Sequence, residues 1–129
     1  MSTIKTTTLS TQGGSTVPVD TVVNGTAKAW VNFNGTGTVA IRRAFNVSSV
    51  TDNGTGDYTV NFTTAMADAN YAVTSSGMKN SSSNSAFLYY GGTAPTTNAV
   101  RIWIGTGHIS GATTGVAQDE SYALAVIFS

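Results

Sequence analysis

His108 is the only histidine in the 129-residue chain, and there is no cysteine. A Ser-His-Asp triad can therefore be assembled in one way only and a Cys-His pair in none, since both need an imidazole to take the proton of the nucleophile. His108 falls in the glycine-rich run from Gly105 to Gly115, the setting of an exposed loop histidine. Carboxylates offer little more. Glycoside hydrolysis requires two acids flanking the scissile bond, and the available pairs, Asp52 with Asp57 and Asp119 with Glu120, sit in turn-forming contexts where acidic side chains serve the backbone. The stretch Asp52-Asn53-Gly54-Thr55-Gly56-Asp57 gathers two carboxylates and an amide oxygen within six residues, but lacks the ligand spacing and closing glutamate of a dedicated calcium loop. No Gly-x-x-x-x-Gly-Lys-Ser/Thr phosphate loop occurs. The expectation is a protein with no catalytic residue, no cofactor and no metal, and so not an enzyme.

Aromatic side chains are the remaining functional lead. Tyr89, Tyr90 and Trp103 are candidates for a platform that stacks on sugar rings, because each presents a large apolar face and a polar edge. The competing account puts some of them in the core or in a subunit interface. Trp30 shares a strand face with Lys28 and Asn32, opposite Ala29, Val31 and Phe33, and is either the cover of a second layer or an interface anchor.

These residues ride on strands. Between Ala27 and Val73, β-branched and aromatic residues alternate with polar ones, and Asn-Gly turns separate the runs. Tyr58, Val60 and Phe62 alternate with Thr59, Asn61 and Thr63, the period of a strand with one buried and one wet face. Asn53-Gly54-Thr55-Gly56 and Asn34-Gly35-Thr36-Gly37 supply the positive-φ positions of tight hairpins. The whole stretch reads as a β-meander, with strands around residues 28–33 and 38–47 joined by the first turn. Strands follow at 72–78 and 86–90, separated by the polar loop 79–85. Pro95 marks another loop, because proline cannot donate into a ladder. In the next strand Val100, Ile102 and Ile104 form an inner face and Arg101 and Trp103 an outer one. The closing strand is apolar on both sides: Tyr122, Leu124, Val126 and Phe128 alternate with Ala123, Ala125 and Ile127. That suits a central sheet position or a subunit interface, so Trp30, Tyr122, Leu124, Val126, Ile127 and Phe128 are the candidate subunit contacts. Helical period is absent, residues 64–70 being the sole candidate for a helical turn. Seven or eight strands at this spacing predict an all-β, antiparallel, jelly-roll-like β-sandwich.

Composition narrows the partners. Charged residues make up 9% of the chain and the net charge is zero, which argues against nucleic acid or an anionic membrane as partner. Arg42 and Arg43 are adjacent, and neighbours in a strand face opposite sides, so no basic patch is expected of them. The content of Val, Ile, Thr, Tyr and Phe argues for order. Six Asn-x-Ser/Thr sequences occur, as chance predicts in a chain this rich in Asn, Ser and Thr. Residues 1–20 hold no apolar run of signal-peptide or membrane-span length. The expected organisation is an extended N-terminal arm over residues 1–24, with Ile4 and Leu9 as its large apolar groups, followed by one sandwich domain over residues 25–129.

The run Gly25-Thr26-Ala27-Lys28-Ala29-Trp30-Val31-Asn32-Phe33-Asn34-Gly35, with Phe45-Asn46-Val47-Ser48-Ser49-Val50-Thr51-Asp52, Tyr58-Thr59-Val60-Asn61-Phe62-Thr63-Thr64-Ala65-Met66 and Ala69-Asn70-Tyr71-Ala72-Val73, resembles a domain that recurs at the C-terminal ends of bacteriophage tail-fibre and related virion proteins. The likeness is close over roughly the middle third of the chain and looser from Ala94 to Val100 and from Ala123 to Phe128. Its motifs are turn and strand chemistry and carry no catalytic residue over. The resemblance implies a homotrimeric structural protein at the virion surface, made in the host cytoplasm, working as a receptor-binding fibre tip that contacts a host surface glycan or protein. The alternative is a capsid decoration, cement or head-fibre protein anchored by its arm; a small glycan-active enzyme ranks third. Under either structural reading, Ile4 and Leu9 are the candidate attachment points to other virion proteins.

Overall fold

The computed structural model describes residues 2–78, 86–90, 92–106 and 116–129. Strict alternation builds its core. In β3 (Ala29–Asn34), Ala29, Val31 and Phe33 are buried while Trp30, Asn32 and Asn34 are only partly covered. β6 (Asp57–Phe62) buries Tyr58, Val60 and Phe62 in the same manner, and β9 (Ala99–Thr106) buries Val100, Ile102 and Ile104. β11 (Tyr122–Phe128) contributes Ala123, Ala125 and Ile127.

These inner faces belong to two antiparallel sheets. With β4 (Ala40–Phe45) and β7 (Ala72–Met78), β3 and β11 form a sheet of order β4-β3-β11-β7. The second has order β10-β9-β6-β5, where β5 is Val47–Gly54 and β10 the short Val116–Ala117, and β8 (Ala86–Tyr90) pairs along the other edge of β9. One cluster fills the space between them, and the Phe33 and Tyr58 rings meet across it edge to face with centroids 5.0 Å apart. Phe62 and Tyr71 repeat the contact at 5.7 Å. The expected antiparallel sandwich is thus present, and β11 occupies a central position in its sheet.

The meander read between Ala27 and Val73 is divided. β3–β4 and β5–β6 are each antiparallel hairpins, but they lie in different sheets. The chain crosses over at Asn46, the one non-glycine residue with positive φ among the described residues, at 52°. Asparagine tolerates this left-handed conformation better than other side chains. Its amide Nδ2 donates to the Lys28 and Thr64 carbonyls, each at 3.1 Å, and its Oδ1 accepts from the Thr64 N–H at 2.7 Å. The corner is thereby pinned to the starts of two other segments.

The helical turn considered for residues 64–70 is also corrected. Met66 gives its N–H to the Thr97 carbonyl and Asn70 gives its own to Asp68 Oδ1, so these backbone donors do not serve a helix. The helix lies elsewhere, at α1 (Val19–Gly25), which Pro18 precedes and whose first turn holds Asp20; an acid near the N-terminus favours that start. Before it, β1 (Thr8–Ser10) and β2 (Thr16–Pro18) pair in a two-stranded sheet of their own. The N-terminal segment is therefore a hairpin and a short helix rather than an extended arm, and it adds no strand to the sandwich. α1 buries none of its residues.

Candidate interaction surfaces

At one end of the sandwich the acidic residues are committed to structure. Asp119 Oδ1 accepts the Gly56 N–H at 2.7 Å and lies 2.7 Å from the Tyr58 hydroxyl, whose one proton it shares with the Gly35 carbonyl at 3.0 Å. Gly35 gives its N–H to Glu120 O, Gln118 gives its N–H to Ile104 O, and Ile104 to Gly56 O. Two glycines make these approaches possible. A Cβ on Gly35 would sit 2.4 Å from the Tyr58 hydroxyl, and one on Gly56, whose φ is +65°, would sit 2.2 Å from the Ile104 carbonyl oxygen. Burial first, and the Asp119 carboxylate second, push the Tyr58 phenol far above its ordinary range, so it stays a neutral donor. Glu120 is 3% exposed. Asp119 and Glu120 thus tie loops together, and Asp52 Oδ1 accepts the Gly54 N–H at 2.9 Å in its own turn.

Asp57 has a partner that spacing could not show. Arg101 grips it with both guanidinium arms, Nε reaching Oδ1 at 2.8 Å and Nη2 bonding Oδ2, and Asn53 Nδ2 adds a contact to Oδ1 at 3.3 Å. The Arg101 guanidinium foremost, against the opposing effect of burial and with help from Asn53 and Trp103, holds the Asp57 carboxyl below the usual carboxylate range. This pair lies on the outer face of the second sheet, where Trp103 is 43% exposed and its Cα faces that of Asp57 on one side and of Tyr89 on the other. The rest of that face is polar and cross-linked: Asn61 Nδ2 donates to Ser49 Oγ and Thr51 Oγ1 at 3.0 Å each, and Asn53 Nδ2 to Thr59 Oγ1 at 2.8 Å. Trp103 is therefore on a surface, as a contact residue must be. The side chains of Tyr89 and Tyr90, and His108 entirely, lie outside the described residues.

The outer face of the first sheet has the opposite character. Register places Trp30 beside Val126 and Phe45, and Asn32 beside Leu124 and Arg43. Trp30, Leu124, Val126 and Phe128 are half-buried, Phe45 is 55% exposed and Tyr122 44%. Asn32 Oδ1, in the middle, has no hydrogen-bond partner. Two expectations are corrected here. Ile127, grouped with the subunit contacts, points the other way and is fully buried in the chain's own core, because only one parity of β11 can face outward. Arg42 and Arg43 share a side after all: a bulge between Asn32 and Phe33 of β3 inserts Arg42 as an extra residue, and its guanidinium lies 4.1 Å from the Tyr122 ring centroid. The same bulge brings Phe45 onto this face, a residue that alternation alone did not flag. Beside it runs an open groove of about 450 Å³ lined by residues that include Thr26, Lys28, Phe45, Asn46, Met66 and Ser129.

In the N-terminal segment Ile4 is 90% exposed, Leu9 47%, Val23 50% and Val22 39%. Among the described residues there is no group of three His, Cys, Asp or Glu side chains that could hold a metal ion, and no helix long and apolar enough to cross a membrane. No protein-family model matches the chain, and comparison with curated proteins and with solved structures returns no match either.

Proposed function

We propose that this chain is a non-enzymatic structural protein of a bacteriophage virion, a homotrimer of fibre type exposed at the particle surface and serving as the receptor-contacting tip. The observation that carries the reading is the outer face of the β4-β3-β11-β7 sheet. A soluble domain rarely leaves Trp30, Phe45, Leu124, Val126 and Phe128 adjoining on one surface without a partner, and aromatic residues together with arginine, here Arg42 and Arg43, are enriched at protein interfaces. Sequence likeness over residues 25–73 supplies the virion setting and the trimer. The test is a map of the intact particle fitted with this sandwich: density at the end of a tail or head fibre, in few copies, is expected.

A second reading, a capsid decoration protein, is favoured by the N-terminal segment. It folds as a separate hairpin and helix that present Ile4, Leu9, Val22 and Val23 to solvent, as an anchor seated in another protein would. Copy number separates the two, hundreds per particle for decoration and few for a fibre tip. Absence of the chain from purified particles overturns both.

A further inference from the structure

The two outer faces of the sandwich differ in a way that assigns them different partners. On the second sheet, Trp103 stands alone as an exposed aromatic among the described residues of β5, β6 and β9, surrounded by hydroxyl, amide and one closed ion pair. In those strands the charges whose register turns them outward are Asp57 and Arg101, and they neutralise each other. That combination offers little to an apolar protein surface and no free charge to an anion or a nucleic acid.

We infer that this face binds a neutral, hydroxyl-rich saccharide, with Trp103 as the stacking platform and the Asp57–Arg101 pair as its polar wall. The C–H face of a pyranose lies on an indole with large apolar contact. Asp57, opposite Trp103 in register, accepts from Arg101 and Asn53 and so holds the guanidinium in place beside the indole. Arg101 has five N–H donors; two serve Asp57 and one reaches Thr93 Oγ1 at 3.4 Å, which leaves two for a ligand. Its side chain is 35% exposed against 13% for Asp57, so the guanidinium is the accessible member. The cross-linked hydroxyls of Thr51, Thr59 and Ser49 continue the polar floor along the strands, giving an extended site suited to a chain of sugars. The inference deepens the receptor-contact reading and rests on it for its biological setting.

The experiment uses the two tryptophans as separate reporters. The full ¹⁵N-labelled chain is titrated, up to millimolar concentration, with neutral hexasaccharides built from glucose, galactose, mannose or rhamnose, and the two indole N–H resonances are followed. At least one probe is expected to move the Trp103 signal and leave the Trp30 signal in place. Trp103→Ala should abolish the saturable amide shifts in β6 and β9, and Arg101→Lys, which keeps the charge and removes the fork, should weaken binding about tenfold. Amide spectra of both variants should otherwise superpose on the parent. Failure of every neutral probe to move Trp103, movement of Trp30 instead, binding retained in Trp103→Ala, or response only to an oligosaccharide of sialic or uronic acid overturns the inference. Because the titration needs only the isolated chain, its failure leaves the virion reading standing, whereas a chain missing from particles removes that reading and leaves the site.

Discussion

Gly56 carries more of the structure than any large side chain near it. Its N–H is taken by Asp119, its carbonyl by Ile104, and the vacancy where a Cβ would stand by the backbones of Ile104 and Gln118, so two segments close on it. Alanine there must adopt a left-handed conformation at about 1–2 kcal/mol and displace the Ile104 or Gln118 backbone at about 1–3 kcal/mol. Gly56→Ala is therefore expected to lower the urea unfolding free energy by about 2–5 kcal/mol; an unchanged midpoint would mean that the 118–121 loop can withdraw freely. Asp57 makes a pH prediction whose sign follows from its partner. The Arg101 guanidinium lowers its folded-state pKa, so the pair contributes stability that is fully present above the unfolded carboxylate value near 3.9 and is lost as pH falls through the lower folded value. Thermal unfolding of the parent should lose ground to Asp57→Asn as pH drops below about 4, while above it the parent is the more stable. Parallel curves for the two proteins across that window would show that the pair does not contribute.

The strands divide into those that the chain supports by itself and those that it does not. β3, β6, β9 and β11 meet through one core cluster, and their amides should exchange only through global opening. β1 and β2 form a two-stranded sheet, marginal in water without further packing, and α1 buries nothing. Deleting residues 1–25, a cut that removes the hairpin and the helix together, should leave the unfolding transition of the sandwich within experimental error and abolish incorporation into particles. Amides of residues 2–18 in the intact isolated chain should exchange at nearly the rate of an unfolded peptide. If the truncated protein fails to fold, the segment is part of the domain; if it still assembles, attachment lies on the sandwich.

At the scale of the whole molecule, the two sheets present one largely apolar and one polar face, and the proposed oligomer would use the first. Light scattering at micromolar concentration is expected to return three times the 13.2 kDa chain mass. Val126→Lys should shift that mass to the monomer, because the ammonium would be desolvated against a neighbour, whereas Thr59→Lys on the other sheet should not. Ile127→Lys is a different experiment: that residue is wholly inside its own subunit, and the variant should unfold rather than dissociate. A parent protein of single-chain mass would remove the interface.

Much of this was legible in the residues themselves. The alternation of Tyr58, Val60 and Phe62, of Val100, Ile102 and Ile104, and of the two faces of β11 follows from the two-residue period of a strand, and the turns at Gly37 and Gly56, both with positive φ, follow from the backbone freedom that only glycine offers. Local chemistry says which way a side chain points and where the chain reverses. It does not say which strand lies opposite. The crossing at Asn46 that sends two hairpins to different sheets, the bulge that turns Arg43 and Phe45 outward, Tyr58 meeting Asp119 across 61 residues and Arg101 meeting Asp57 across 44 were decided by the tertiary structure, because each depends on a pairing between segments whose separation in sequence carries no period to reveal it.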